Sequence, residues 1–268
     1  MSVLVRLSAT LFLAVALTGH AAAVESKYGA PPPDLKTHLQ RLVNAYPDTI
    51  AGFDAADLIL KDGTRLALSD GRTDKTFEEL LNSPDVDDMF AFAYPAGAPA
   101  GPPGENADPG RIRVEALFQS IYGDCKTGNL KPKLRQVPWV PKLGGGNLSF
   151  HTAYGADKAL GAVSDELQAL PKPFHKYLTP ASGTFNCRTI AKTNRRSMHA
   201  YAIAIDINTK FTSYWQWDKD AGRQKWQNQI PLDIVSIFEK HGFIWGGRWD
   251  HYDTMHFEYR PELIPPQP

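Results

Sequence analysis

The chain reads as an α+β protein: a small antiparallel sheet flanked by helices, with an N-terminal accessory region ahead of it. Apolar residues recur at helical spacing in separated stretches, as in Leu35, Leu39, Leu42 and Val43, or Val114, Leu117, Phe118 and Ile121. Two apolar runs towards the C-terminal end, over 203–207 and 256–259, have the length of strands rather than helices. Between such stretches proline and glycine are dense, 21 of each among 268 residues, which keeps the elements short.

Taken in order, residues 1–23 read as a cleavable secretory signal. Arg6 precedes an apolar run over 7–17, and Ala21-Ala22-Ala23 places small residues at the cut. The run is shorter than the ~20 apolar residues of a membrane span. No cysteine follows it for a lipid anchor. Cleavage near Ala23, no stable membrane anchor, and a periplasmic or secreted location are therefore expected. An accessory region over 24–149 comes next. It begins with an extended proline-rich leader at 27–33, a helix over 35–45 and a hairpin over 58–68 turning at Asp62-Gly63. Short helical pieces follow at 76–81 and 83–89, then a loop over 95–109 and a helix over 111–121. The tract Gly144-Gly145-Gly146 is expected to separate this region from a second unit over 150–268. There a helix over 163–170 stops at Pro171, and a strand over 203–207 precedes a helix over 231–241. Pro231 suits the first turn of that helix and Gly242 suits its end, and a last strand covers 256–259.

Composition is that of a globular protein, 43% hydrophobic and 22% charged, with 29 basic residues against 29 acidic ones. Zero formal charge gives no reason to expect nucleic-acid binding, although Asn194-Arg195-Arg196 is a local basic run. Cys125 and Cys187 are the only cysteines, and an even pair in an oxidising compartment reads as a disulfide.

The chemistry concentrates in two clusters. In a strand over 203–207, Ala202, Ala204 and Asp206 would share one face while Ile203, Ile205 and Ile207 pack the other. Small residues beside Asp206 leave room for a cation, and His199 enters from just upstream. A buried histidine bonded to an acid explains that cluster alone equally well. The second cluster changes the balance, because His256 opens another strand and Asp253 precedes it by a turn. Two histidines and a carboxylate leave one corner of a tetrahedron for water, as catalytic zinc requires, whereas a closed structural site takes four protein ligands. Zinc lowers the pKa of a bound water to ~7, and a nearby carboxylate can take its proton. Asp250 and His251 are rivals in this segment, with His251 read as a substrate contact. Ser197 either bonds near the site or caps the turn, and Trp249 is read as a wall of a substrate groove. His38, His151, His175 and His241 have no partner at ligand spacing and read as structural.

The pattern Ser197-x-His199-x-x-Ala202-x-Ala204-x-Asp206, then Trp245-Gly246-Gly247-x-Trp249 and Asp253-x-x-His256-Phe257, resembles the D-alanyl-D-alanine carboxypeptidase family of zinc peptidases. That family includes cell-wall carboxypeptidases, D-Ala-D-Ala dipeptidases and L-alanyl-D-glutamate endopeptidases, on a zinc fold shared with lysostaphin-type and hedgehog-type proteins. The resemblance spans roughly residues 150–262. It implies one zinc ion held by His199, Asp206 and His256, with Asp253 as general base and peptidoglycan stem peptides as substrate. It also implies an upstream arginine that binds substrate and stabilises the oxyanion, matched best by Arg188 and less well by Arg195 or Arg196. Carboxypeptidase action is the expectation, on the ground that the long N-terminal region can close one end of the groove. An L-alanyl-D-glutamate endopeptidase and a non-catalytic wall-binding or protein-binding module are the alternatives. One departure is Ala202, where the family has glycine; it is expected to tighten the space near the site without removing a ligand.

Overall fold

The computed structural model describes residues 27–223 and 225–265. The expected signal segment over 1–23 lies outside the described residues. Helix α1 (Leu35–Ala45) turns His38, Leu39 and Leu42 inward, as its apolar spacing requires. Strands β1 (Ile50–Phe53), β2 (Asp57–Leu60) and β3 (Arg65–Ala67) form an antiparallel meander in the order β1-β2-β3. The β2–β3 turn carries Gly63 at φ +89, a conformation a side chain would strain, beside Asp62, which accepts from the Thr64 amide. Helix α2 (Phe77–Asn82) starts in a capping box: the Thr76 hydroxyl accepts from the Glu79 amide, and the Glu79 carboxylate accepts from the Thr76 amide.

Helix α3 (Glu115–Tyr122) begins four residues later than its apolar stripe suggests, and the preceding Arg111–Val114 stretch is irregular. Strands β4 (Leu134–Pro138) and β5 (Asn147–His151) pair as an antiparallel hairpin the sequence reading did not contain. Gly144-Gly145-Gly146 is the connection between them rather than a separator. A Cβ on Gly145 would lie 2.2 Å from the Trp139 carbonyl oxygen, so glycine is what lets the chain fold back there. Helix α4 (Ala156–Gln168) starts earlier than expected and buries Ala156, Leu160, Val163 and Leu167. A short helix α5 (Lys172–His175) follows it.

The third sheet, in the order β6-β8-β7, consists of β6 (Ala204–Asp206), β7 (Phe243–Trp245) and β8 (His256–Tyr259), all antiparallel. Helices α6 (Trp215–Asp220) and α7 (Leu232–Lys240) lie between β6 and β7 in the chain. Phe238 of α7 stacks on Phe257 of β8 with ring centroids 3.8 Å apart, which fixes one face of the sheet and leaves the other for chemistry. The expected five-residue strand at 203–207 shortens to three. Ala202 lies outside it, in the left-handed region at φ +56, although Ile203, Ile205 and Ile207 are buried as expected.

One apolar core runs through the described chain, and the position between 149 and 150 falls inside β5. Polar contacts join the earlier and later parts of the chain as well. Tyr94 Oη and the Gly97 amide donate to Glu239 at 2.7 and 2.9 Å, Trp249 Nε1 to the Pro109 carbonyl at 2.7 Å, and Tyr46 Oη to Glu262 at 2.6 Å. Cys125 and Cys187 form a disulfide with Cα atoms 5.7 Å apart, tying the turn after α3 to the loop leading towards His199. Among the described residues no helix is long and apolar enough to cross a membrane.

Candidate metal centre

Strand register places the first two donors. β6 and β8 pair so that Asp206 lies opposite His256, and cross-strand partners share a face of the sheet. His256 Nδ1 is 2.9 Å from Asp206 Oδ1. His199 reaches the same point from the 3₁₀ turn Met198–Tyr201. Its Nδ1 donates to the Thr184 carbonyl at 2.6 Å, which turns Nε2 inward, 3.2 Å from both His256 Nδ1 and Asp206 Oδ1. Adjacent corners of a tetrahedron with bonds of ~2.1 Å lie ~3.4 Å apart. The three atoms thus outline one slightly contracted tetrahedral face, and a zinc ion fits this donor set.

The outward nitrogen of His256 is held too: Nε2 lies 3.1 Å from Glu258 Oε1. A carboxylate behind a ligating imidazole fixes its tautomer and strengthens it as a donor. Glu258 was not among the expected site residues, yet it stands two positions after His256 on the same strand face, which strand alternation makes readable. Arg260 donates to Glu258 at 3.3 Å, and Arg113 approaches it within 3.8 Å.

A cleft of about 110 Å³ opens over the donors. Arg188, Ser197, Trp249 and Asp253 line it, together with Tyr214, from an aromatic run that reads either as a packing cluster or as part of a groove, and Arg111, which no sequence signal marked. Asp253 is steered by its backbone, whose amide donates to the Gly246 carbonyl at 3.0 Å while the residue bridges to Tyr214. A Cβ on Gly246 would approach the Asp253 carbonyl oxygen to 2.5 Å, so glycine there permits the turn that carries the acid. Asp253 Oδ1 is buried and has no hydrogen-bond partner among the described residues. Asp250, its rival, instead accepts from the Asn106 amide at 2.7 Å and serves the loop.

Arg188 is exposed at the cleft rim, its only side-chain hydrogen bond among the described residues going to the Thr189 carbonyl at 3.3 Å. Ser197 is buried, but its hydroxyl does not cap the turn. The Trp249 ring lies 5.7 Å from that of His256 and carries the Arg111 guanidinium 4.6 Å above it. Trp245 belongs to the core, donating from Nε1 to the Thr254 carbonyl. His251 stands outside this cleft. It bonds Asp108 through Nδ1 at 2.9 Å, stacks on Phe77 and lines a larger neighbouring cavity. Ala202 explains the family's glycine differently from the expectation: the backbone there is left-handed, which costs an alanine roughly 1 kcal/mol.

Electrostatics follow from burial. Burial pushes the Asp253 carboxyl up to about 6, with nearby Asp206 adding to the rise and His256 opposing it. Burial alone would also raise Asp206, but hydrogen bonds and charge from His199 and His256 hold it well below the usual carboxylate range. Glu258 stays at about 2 in spite of burial, because His256, Arg113 and Arg260 face it. Among the described residues one other acidic trio, Asp85, Asp87 and Asp88, comes within ligand spacing. There the Lys75 ammonium already supplies a cation, 2.8 Å from Asp85 and 2.6 Å from Asp88.

Three converging donors with an open side form a group that could hold a single metal ion, beside a carboxylate whose Oδ1 is buried without a partner among the described residues. A family model described as D-alanyl-D-alanine carboxypeptidase matches residues 191–259. The matched segment contains His199, Asp206, His256 and Asp253 and stops short of Arg188. The match supports a metallopeptidase of this family, whose members are zinc-dependent. No curated protein and no solved structure matches the chain.

Proposed function

We infer that the protein is an exported zinc peptidase acting on peptidoglycan stem peptides, with D-alanyl-D-alanine carboxypeptidase activity. One observation carries this: the donor triangle of His199, Asp206 and His256 shares its cleft with a buried carboxylate oxygen that has no partner among the described residues. His199 Nε2, Asp206 Oδ1 and His256 Nδ1 would hold the ion. When bound, it supplies Lewis acidity to a peptide carbonyl and to water. Asp253 accepts a proton from the attacking water at Oδ1 and returns it to the leaving amine, a role suited to a carboxyl raised towards neutrality. Arg188 donates to the carbonyl oxygen as negative charge builds there, and Trp249 and Ser197 shape the wall beside it. His251 contacts more distant parts of the substrate.

The test is incubation of purified protein with defined muropeptides, with and without chelator, and identification of products by mass. Conversion of pentapeptides to tetrapeptides, abolished by chelation, is expected. Cleavage between the first two stem residues would mean endopeptidase action instead. Asp253→Asn is expected to lower kcat by about 10²–10⁴-fold with metal content unchanged. Wall binding that survives this substitution in a protein with no turnover would favour the non-catalytic alternative.

A further inference from the structure

A cavity of about 710 Å³ continues from the metal cleft, sharing Arg111 and Tyr214 with it. Its far wall comes from α2 in the N-terminal region, through Phe77 and Leu81, and its near wall from the 190–195 loop. Arg195 lines this cavity and not the metal cleft, so it is badly placed for an oxyanion role.

The 190–195 loop is fixed by its own backbone. The Ile190 amide donates to the Arg195 carbonyl at 2.8 Å, and the Arg195 amide to Thr193 Oγ1 at 3.2 Å. The Arg195 side chain takes no part in holding the loop. Its Nε and Nη1 are buried and have no hydrogen-bond partner among the described residues. Of the three acids that line the cavity, Glu115 accepts from the Arg196 amide and Tyr201 Oη, Asp108 accepts from the His251 amide and ring, and Glu78 stands exposed on α2. Burial, with like charge from Arg113 and Arg111, pulls Arg195 down to about 10 against the opposing charges of Asp108 and Glu115. A guanidinium with two shielded nitrogens and no hydrogen-bonded acid is costly, and a carboxylate matches its planar fork.

Building on the peptidase reading above, we propose that this cavity is a substrate subsite in which Arg195, with Arg111 at its mouth, binds a free carboxylate adjoining the bond presented to the metal centre. In a stem peptide that carboxylate is either the terminal one or the α-carboxylate of D-glutamate. Arg195 is then a specificity residue, and the N-terminal region takes part in substrate selection through α2.

The probe is L-Ala-γ-D-Glu-L-Lys-D-Ala-D-Ala, titrated calorimetrically into the metal-free full chain beside its C-terminal amide and its D-glutamyl α-amide. One of the two amides is expected to bind about tenfold or more weakly than the acid, and which one identifies the carboxylate. Arg195→Met should erase that preference without lowering the thermal midpoint, since it removes no hydrogen bond. Arg195→Lys should retain part of it and serves if the methionine variant fails to fold. Equal binding of acid and amides, no binding of any of them, or a preference that survives in Arg195→Met would overturn the proposal. Turnover of the zinc-loaded protein is read separately. Its absence would end the peptidase reading while leaving any discrimination between acid and amide in place.

Discussion

At the scale of single residues, His199, Asp206 and His256 were legible as candidate donors because they fall in two short clusters; strand register turns Asp206 and His256 one way, whereas His199 arrives from a 3₁₀ turn. Glu258 could have been read by the same rule, and it carries a direct prediction. Glu258→Gln keeps the size but weakens the hold on His256 Nε2, so zinc affinity should fall by about 10–100-fold, measured by competition with a chelating dye. Arg111 was not legible, since no local pattern links a residue so far from the motif in sequence. His151 makes a second prediction. Its Nε2 donates to the Tyr122 carbonyl and its Nδ1 accepts from the Ala153 amide, both at 2.9 Å, so a second proton would break a bond. Burial therefore lowers its pKa to about 4. Unfolded histidine titrates near 6.5. The contribution is then fully present above pH 6.5 and is lost as pH falls from 6.5 to 4, by about 3 kcal/mol for this buried ring. Urea midpoints across that window should fall more steeply in the wild type than in His151→Gln; parallel curves would refute the assignment.

At the scale of elements, α1, α2 and β8 follow their sequence signals closely, because a stripe, a capping box and an apolar run act locally. The β4–β5 hairpin and β7 escaped notice. β4 ends in proline, which signals a break rather than a strand, and β7 has only three residues. The glycine tract was visible, but its role depends on how close it comes to Trp139, which no sequence pattern encodes. The Cys125–Cys187 link closes a loop of sequence separation 62 around β4, β5, α4 and α5. Replacing both cysteines by alanine should cost roughly 4 kcal/mol on the chain-entropy account, read as a lower denaturant midpoint. An unchanged midpoint would show that the loop is already held by Arg196, which donates to Asp124 at 2.7 Å.

At the scale of the molecule, the segment resembling a peptidase leans on what precedes it. Glu239, Trp249, Arg260 and Glu262 all take partners between Tyr46 and Gly110. A fragment covering 150–268 should therefore lack cooperative unfolding and a native near-ultraviolet dichroism spectrum, whereas cooperative melting of that fragment would establish it as an independent unit. This dependence could not be read from sequence, because half of the contacts run to backbone carbonyls that carry no residue signature. The buried relay from His256 through Glu258, Arg260 and Glu262 to Tyr46 crosses nearly the whole chain. Drift in the tyrosine that caps the opening helix would thus reach the imidazole two hundred residues later as altered basicity, so that tuning of this centre extends to positions no motif search would visit.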